Sequence, residues 1–98
     1  MSNKKKEFAE KVKTENRKEK ISLKPNPASN NTTLVLPDDI NNAAVTIINA
    51  EGKLLWKRSS LSTGSTIINT GNWSNGEYTV IIRELDKKSI IKKLIVQK

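Results

Sequence analysis

The chain has 98 residues, which suffices for one small domain but not for two with separate cores. It contains neither cysteine nor histidine, which excludes disulfides, thiolate metal sites and the commonest general base, and predicts no cofactor. The net charge of +8 suggests a nucleic acid or an anionic surface as a partner, so its distribution along the chain matters. No apolar run approaches the roughly 20 residues that span a bilayer, so the chain is not predicted to be membrane-spanning.

The first 20 residues form a highly charged segment with eight basic and four acidic side chains. Phe8 and Val12 are too few apolar residues for a core, so we expect a polar helix or a disordered linker. The basic start has no apolar stretch behind it and is not a secretory signal peptide as written. Composition changes at Ile21, which predicts two parts. Residues 1–20 are interpreted as the tail of a missing upstream region, and residues 21–98 as a folded domain.

Seven β-branched runs follow at intervals of about ten residues, separated by turn residues such as proline, glycine and asparagine. This spacing is typical of an all-β sandwich or barrel. The predicted strands are Ile21–Lys24, Thr32–Leu36, Ala43–Asn49, Lys53–Ser59, Thr66–Thr70, Glu77–Leu85 and Lys88–Gln97.

Apolar residues at every second position predict which side chains point into the core. Trp73 stands alone in a polar loop and is expected to close one end of the sandwich. The predicted inward residues are Leu34 and Leu36, Val45 and Ile47, Leu54 and Trp56, and Tyr78, Val80 and Ile82.

The last run, "SIIKKLIVQK", is compatible with two secondary structures. Its apolar residues would form a stripe on a helix with Lys92 and Lys93 opposite. The β-branched residues and the preceding turn-like segment favour a strand instead. In a strand the two lysines point to opposite faces and do not form one compact basic patch.

No group of residues predicts catalysis. Asp38 and Asp39 are adjacent after a proline, which is typical of a turn, and the serines have no histidine partner. Nucleic-acid binding is not predicted either, because Trp56, Trp73 and Tyr78 are better explained as core residues than as exposed stacking platforms. The basic side chains near both ends of the chain are then solvent-exposed charges, and lysines on an edge strand oppose aggregation.

Four stretches, "ISLKPNPASN", "VTIINAEGKLLW", "NWSNGEYTVIIRE" and "KKLIVQK", resemble in order and spacing the motifs of the C-terminal sorting domain of the type IX (Por) secretion system of Bacteroidetes. The resemblance covers residues 21–98 and implies an Ig-like, seven-stranded antiparallel β-sandwich. One difference is Trp73-Ser74, where the family usually has Leu-Pro. The positions that match the motifs are Pro25, Asn26, Pro27 and Ala28, then Asn49 and Gly52, then Gly76 and Tyr78, then Lys92, Lys93, Leu94 and Val96.

The resemblance implies a secretion signal that directs a covalently attached upstream cargo domain across the outer membrane. Its implied partners are the type IX translocon, a shuttle protein and a sortase-like cysteine protease at the outer membrane. The cargo would pass through the periplasm and end at the cell surface or outside the cell. We expect the chain to be a fragment of a longer protein and cleavage to fall in the region of Arg17, Lys18, Glu19, Lys20 and Ile21.

Lys92 and Lys93 are the expected recognition residues, whereas Gly76 and Tyr78 are expected mainly to build the fold. An alternative function from another class is an Ig-like accessory or adhesion module that binds a carbohydrate or a surface. A position of this segment at the extreme C-terminus of a secreted protein would favour sorting, and an internal position would favour the module.

Overall fold

The alternating pattern folds into seven strands, as the sequence predicted. The computed structural model describes residues 20–85 and 87–98, so the predicted helix or linker at residues 1–20 lies outside the described residues except for Lys20. The strands are β1 (Ser22–Lys24), β2 (Asn31–Leu36), β3 (Ala43–Ile48), β4 (Leu54–Leu61), β5 (Gly64–Asn69), β6 (Gly76–Arg83) and β7 (Ile90–Val96).

Two antiparallel sheets contain these strands. One sheet has three strands in the order β1-β2-β5, and the other has four in the order β4-β3-β6-β7. Apolar faces on both sheets must be buried, and packing one sheet on the other does this. The predicted all-β sandwich is confirmed. The last run is a strand, β7, and it lies at an edge of the four-stranded sheet.

The core lies between the two sheets and is formed by the residues that alternate inward. Leu34, Val45, Ile47 and Val80 are fully buried, which confirms the inward faces predicted for β2, β3 and β6. On β7 the side chains of Ile90, Leu94 and Val96 are buried, whereas those of Ile91 and Ile95 are exposed on the outer face.

The prediction for β4 was wrong at Leu54, whose side chain is 52% exposed. Ile47 lies opposite Trp56, but the next residue, Ile48, lies opposite Leu54, so the register shifts by one residue at Leu55. A β-bulge of this kind puts one extra residue in a strand and reverses the faces beyond it. Leu54 therefore shares the outer face with Ile48. Leu55 and Trp56, both partly buried, pack against the core instead.

The connections between strands gather at two poles of the sandwich. At the N-terminal pole, where β1 begins, the N–H of Asn41 donates to Glu84 Oε2 at 3.1 Å and the Thr63 hydroxyl donates to the carbonyl of Leu36 at 3.1 Å. At the C-terminal pole, where β7 ends, the N–H of Thr70 donates to the carbonyl of Asn30 at 2.9 Å. A strand of six residues spans about 20 Å between the poles.

Candidate functional site

The loop of residues 25–28 lies against the outer edge of β7. The N–H of Ala28 donates to the carbonyl of Ile95 at 2.7 Å, and the N–H of Gln97 donates to the carbonyl of Ala28 at 2.8 Å. These two bonds form a short parallel bridge between Ala28 and Val96. Ala28 is fully buried, so a larger side chain has no room there. The first and last sequence motifs, 67 or more positions apart, are thus in direct contact.

Asn26 extends this pairing with its side chain. Its Nδ2 donates to the carbonyl of Lys93 at 3.0 Å, and its Oδ1 accepts from the N–H of Ile95 at 2.9 Å. A carboxamide that donates and accepts in this way replaces a peptide group of a neighbouring strand. Backbone groups from Lys93 to Gln97 along the edge of β7 are therefore paired.

Two buried threonines form hydrogen bonds with this loop and with the residue that follows it. The Thr32 hydroxyl donates to the carbonyl of Pro25 at 2.8 Å, and the Thr70 hydroxyl donates to the carbonyl of Ser29 at 3.2 Å. The peptide bonds before Pro25 and Pro27 are both cis. These bonds give the carbonyls of Pro25 and Ser29 partners where the β1–β2 connection reaches from the three-stranded sheet towards β7 of the other sheet.

Asn49 and Gly52 build the turn between β3 and β4. Oδ1 of Asn49 accepts hydrogen bonds from the N–H of Glu51 at 3.0 Å and the N–H of Lys53 at 2.9 Å. The N–H of Gly52 donates to the Asn49 carbonyl at 3.0 Å, and Gly52 has a φ of 85°, which favours glycine. Asn49 thus holds the turn through its side-chain oxygen and its carbonyl, and Gly52 through its backbone conformation.

Gly76 and Tyr78 lie at the start of β6, where Gly76 is opposite Val96. Tyr78 is buried, and its hydroxyl donates to the carbonyl of Ser74. The rings of Tyr78 and Trp73 lie 5.1 Å apart between centroids. Trp73 is partly buried against the core and closes this end of the sandwich, as the sequence predicted.

The four residues of β7 that match the last motif differ in burial. Leu94 and Val96 are buried in the core. Lys93 is exposed on the outer face, with its Nζ 3.5 Å from the Thr79 hydroxyl, whereas Lys92 alternates to the inner face and is partly buried. The two lysines thus point to opposite faces, and the structure does not bring them together as one patch.

Of the expected cleavage region, the structure describes Lys20 and Ile21, which precede β1 at the N-terminal pole. Lys20 is exposed and Ile21 is almost fully buried, while Arg17, Lys18 and Glu19 lie outside the described residues. The matched motifs gather at the C-terminal pole, where the N–H of Lys98 also donates to Asn75 Oδ1 at 2.9 Å. The described chain therefore enters β1 at the pole opposite the motifs.

An open pocket of about 340 Å³ lies at the C-terminal pole between the Asn49–Glu51 turn and residues 72–78. Trp73 and Tyr78 contribute its aromatic wall. Its polar groups are partly engaged already, because Asn49 Oδ1 and the Tyr78 hydroxyl bond neighbouring backbone. Within residues 20–85 and 87–98 there is no cluster of three or more metal-ligating side chains.

Sequence reasoning missed two features of this site. It did not predict that Asn26 and Ala28 pair with β7, because a contact between distant loops leaves no periodic signal. It also did not predict an apolar outer face on the four-stranded sheet. The two adjacent isoleucines in both "TVIIR" and "SIIKK" were the available signal, since paired apolar neighbours put one residue on each face.

Among the described residues, no helix has the length and apolar character required to cross a bilayer. A search of curated proteins finds no significant match. A family model described as "Secretion system C-terminal sorting domain" matches residues 22–97. This match covers all seven strands and the four motif regions. It is a family of sorting signals and not of enzymes. The chain therefore belongs to the secretion system C-terminal sorting domain family of the type IX system.

Proposed function

We propose that this domain is a cleavable address that carries a covalently attached upstream cargo to the type IX translocon. Family membership implies export through the outer membrane to the cell surface or the extracellular space. The proposal adds periplasmic transit, recognition by the translocon and its shuttle protein, and removal by a sortase-like cysteine protease. It includes no catalysis by the domain itself.

The observation that carries the proposal is the contact between the first and last motifs. The loop of residues 25–28 closes the edge of β7 from Lys93 to Gln97, so the terminal strand has a fixed position in the folded domain. A protein that recognises β7 then contacts a rigid surface and not a flexible tail. A rigid surface loses less conformational entropy when it is bound, which favours recognition.

Burial at the start of the fold supports a cleavage position before β1. Ile21 is almost fully buried, while Lys20 is exposed. A protease needs several residues in extended form, so a cut within β1 would require the domain to unfold. We place the cut in the region Arg17 to Ile21, on the N-terminal side of the buried Ile21 side chain. Mass spectrometry of the secreted cargo tests this, and a C-terminus inside residues 30–98 would contradict it.

Lys92 and Lys93 are proposed as recognition residues, and their opposite directions allow each to be tested alone. The single changes Lys92→Glu and Lys93→Glu are made in a fluorescent cargo fusion, and export is measured beside thermal melting. Export that falls while the melting temperature is retained supports recognition. Unchanged export in both variants at the parent's melting temperature shows that the lysines are not recognition residues.

The alternative, a carbohydrate-binding accessory module, is favoured by one observation, the pocket with Trp73 and Tyr78 in its wall. Aromatic rings beside asparagine and glutamate side chains suit a sugar. Titration calorimetry of the domain with a glycan library tests this function. Saturable binding that Trp73→Phe weakens would support it.

A further inference from the structure

The outer face of the four-stranded sheet carries an apolar patch, none of whose members is among the positions matched to the sorting motifs. Leu54 is 52% exposed, Ile91 50% and Ile95 38%, and two half-buried isoleucines join them. We call this set the outer apolar patch. It consists of Ile48, Leu54, Ile81, Ile91 and Ile95.

Four members of the patch are neighbours in the sheet register, and Ile95 is separated from Ile91 by Lys93 on the same face of β7. Ile91 lies opposite Ile81 on β6, and Leu54 lies opposite Ile48 on β3. Ile48 is in turn opposite Thr79, two positions before Ile81 on the same face of β6. Side chains opposite or diagonal to one another on a sheet face lie within contact range. The patch therefore crosses all four strands.

Basic side chains lie at the border of the patch and, in the case of Lys93, between two of its members. Lys57 lies opposite Thr46, Arg83 lies opposite Ala44, and Lys93 lies opposite Thr79, all on the outer face. Glu77, opposite Ile95, is the one acidic residue that strands β3, β4, β6 and β7 place on this face. A second copy of this face would bring like charges together, which opposes self-association.

We propose that the outer apolar patch is a docking surface for another protein that presents an apolar face rimmed by carboxylates. Large exposed apolar patches with a polar rim mark interaction sites, and complementary charge selects the partner. The inference rests on the proposed function in one respect, since it assigns the partner to the export machinery. It adds the face that is used and the chemistry of the surface that binds it.

The three-stranded sheet provides a matched comparison. Ile67 is 70% exposed on its outer face, more than any member of the outer apolar patch. Its neighbour opposite is Thr33, and the one other apolar side chain that β1, β2 and β5 place on this face is the half-buried, diagonal Val35. Isolated exposed isoleucines are ordinary on protein surfaces. An identical substitution at Ile67 therefore controls for loss of an exposed isoleucine as such.

The test uses a fluorescent cargo fused to the full chain in a cell with a type IX system. The double variant Ile91→Thr, Ile95→Thr keeps β-branched side chains and removes apolar surface. We expect about a tenfold lower rate of export with the parent's melting temperature, since two buried isoleucines contribute at least that much to affinity. Ile67→Thr should be exported like the parent. Equal export of all three fusions at equal melting temperatures overturns the proposal.

A second arm tests the charge of the rim. Lys57→Glu combined with Arg83→Glu should lower export in the same direction, whereas Lys24→Glu on the three-stranded sheet should not. If neither acidic variant differs from the parent, the carboxylate-rimmed partner is wrong.

Sedimentation of the parent shows whether the outer apolar patch binds a second copy of this chain instead of another protein. A monomer agrees with the proposal, and a dimer that the double isoleucine variant abolishes would make the occupant a second copy and overturn it. Failure of the parent fusion to leave the cell would instead remove the proposed function, and this inference with it. Export of the parent with no effect of the patch variants removes the inference alone.

Discussion

Asn26 and Ile95 are 69 positions apart in the chain, yet Oδ1 of Asn26 accepts the N–H of Ile95 at 2.9 Å. Nδ2 of the same side chain donates to the carbonyl of Lys93 at 3.0 Å. One carboxamide thus pairs two backbone groups on the open edge of the terminal strand. Because unpaired edge groups invite association with other strands, this contact also protects the end of β7.

Replacement of Asn26 tests this contact. Asn26→Ala should lower the free energy of unfolding by about 1–2 kcal/mol, because it removes two hydrogen bonds at the surface. Urea denaturation measures the change. Asn26→Asp keeps the acceptor and loses the donor, so its free energy of unfolding should lie between those of the parent and Asn26→Ala. Asn72→Ala is the control, since the side chain of Asn72 makes no hydrogen bond within the described residues and should change stability by less than about 0.5 kcal/mol. Equal stability of Asn26→Ala and Asn72→Ala would contradict the account.

The two faces of β7 should differ sharply in their contribution to stability. Leu94 is fully buried, so Leu94→Ala should cost about 3 kcal/mol through lost burial and a cavity. Ile91 is half exposed on the other face, and Ile91→Ala should cost about 1 kcal/mol or less. Chemical denaturation of both variants gives the comparison. Similar losses would mean that β7 does not have the described orientation.

Gly52 has a φ of 85°, and no atom lies within 4 Å of the position that a Cβ would occupy. Gly52→Ala should therefore cost about 1 kcal/mol from backbone strain alone. Gly52→Asn should recover part of this loss, because asparagine tolerates the left-handed region. Thermal melting distinguishes these variants. A loss for asparagine as large as for alanine would indicate a steric cause instead.

Tyr78 combines a buried ring with one hydroxyl bond to Ser74. Tyr78→Phe should lower the free energy of unfolding by about 1 kcal/mol, the usual net contribution of such a bond. Tyr78→Ala should cost about 3–5 kcal/mol, because the ring also packs against Trp73. If the phenylalanine variant were as stable as the parent, the hydroxyl bond would contribute nothing to the fold.

Much of the fold follows from local sequence. The turn residues and the period of two predicted seven strands near their observed positions, because both signals arise from neighbours in the chain. Leu54 shows where this fails: the bulge at Leu55 depends on pairing with β3 and reverses the pattern. The order of the strands in each sheet could not be predicted from local sequence either, since it depends on contacts between distant segments.

The candidate site was predictable in part. Gly52 and Tyr78 have the turn-building and core positions that their residue types suggest. The pairing of Asn26 with β7 was not predictable, because an asparagine before a proline reads as an ordinary turn residue. The separation of Lys92 from Lys93 followed from the strand assignment and is confirmed.

The location and mass of a fused cargo show whether this domain is a sorting address. A fluorescent protein with a signal for export to the periplasm is joined to residues 1–98 and expressed in a cell with a type IX system. The account predicts cargo outside the cell or on its surface, ending between Arg17 and Ile21, and retention when residues 21–98 are deleted. Equal distribution of the cargo with and without residues 21–98 would contradict it.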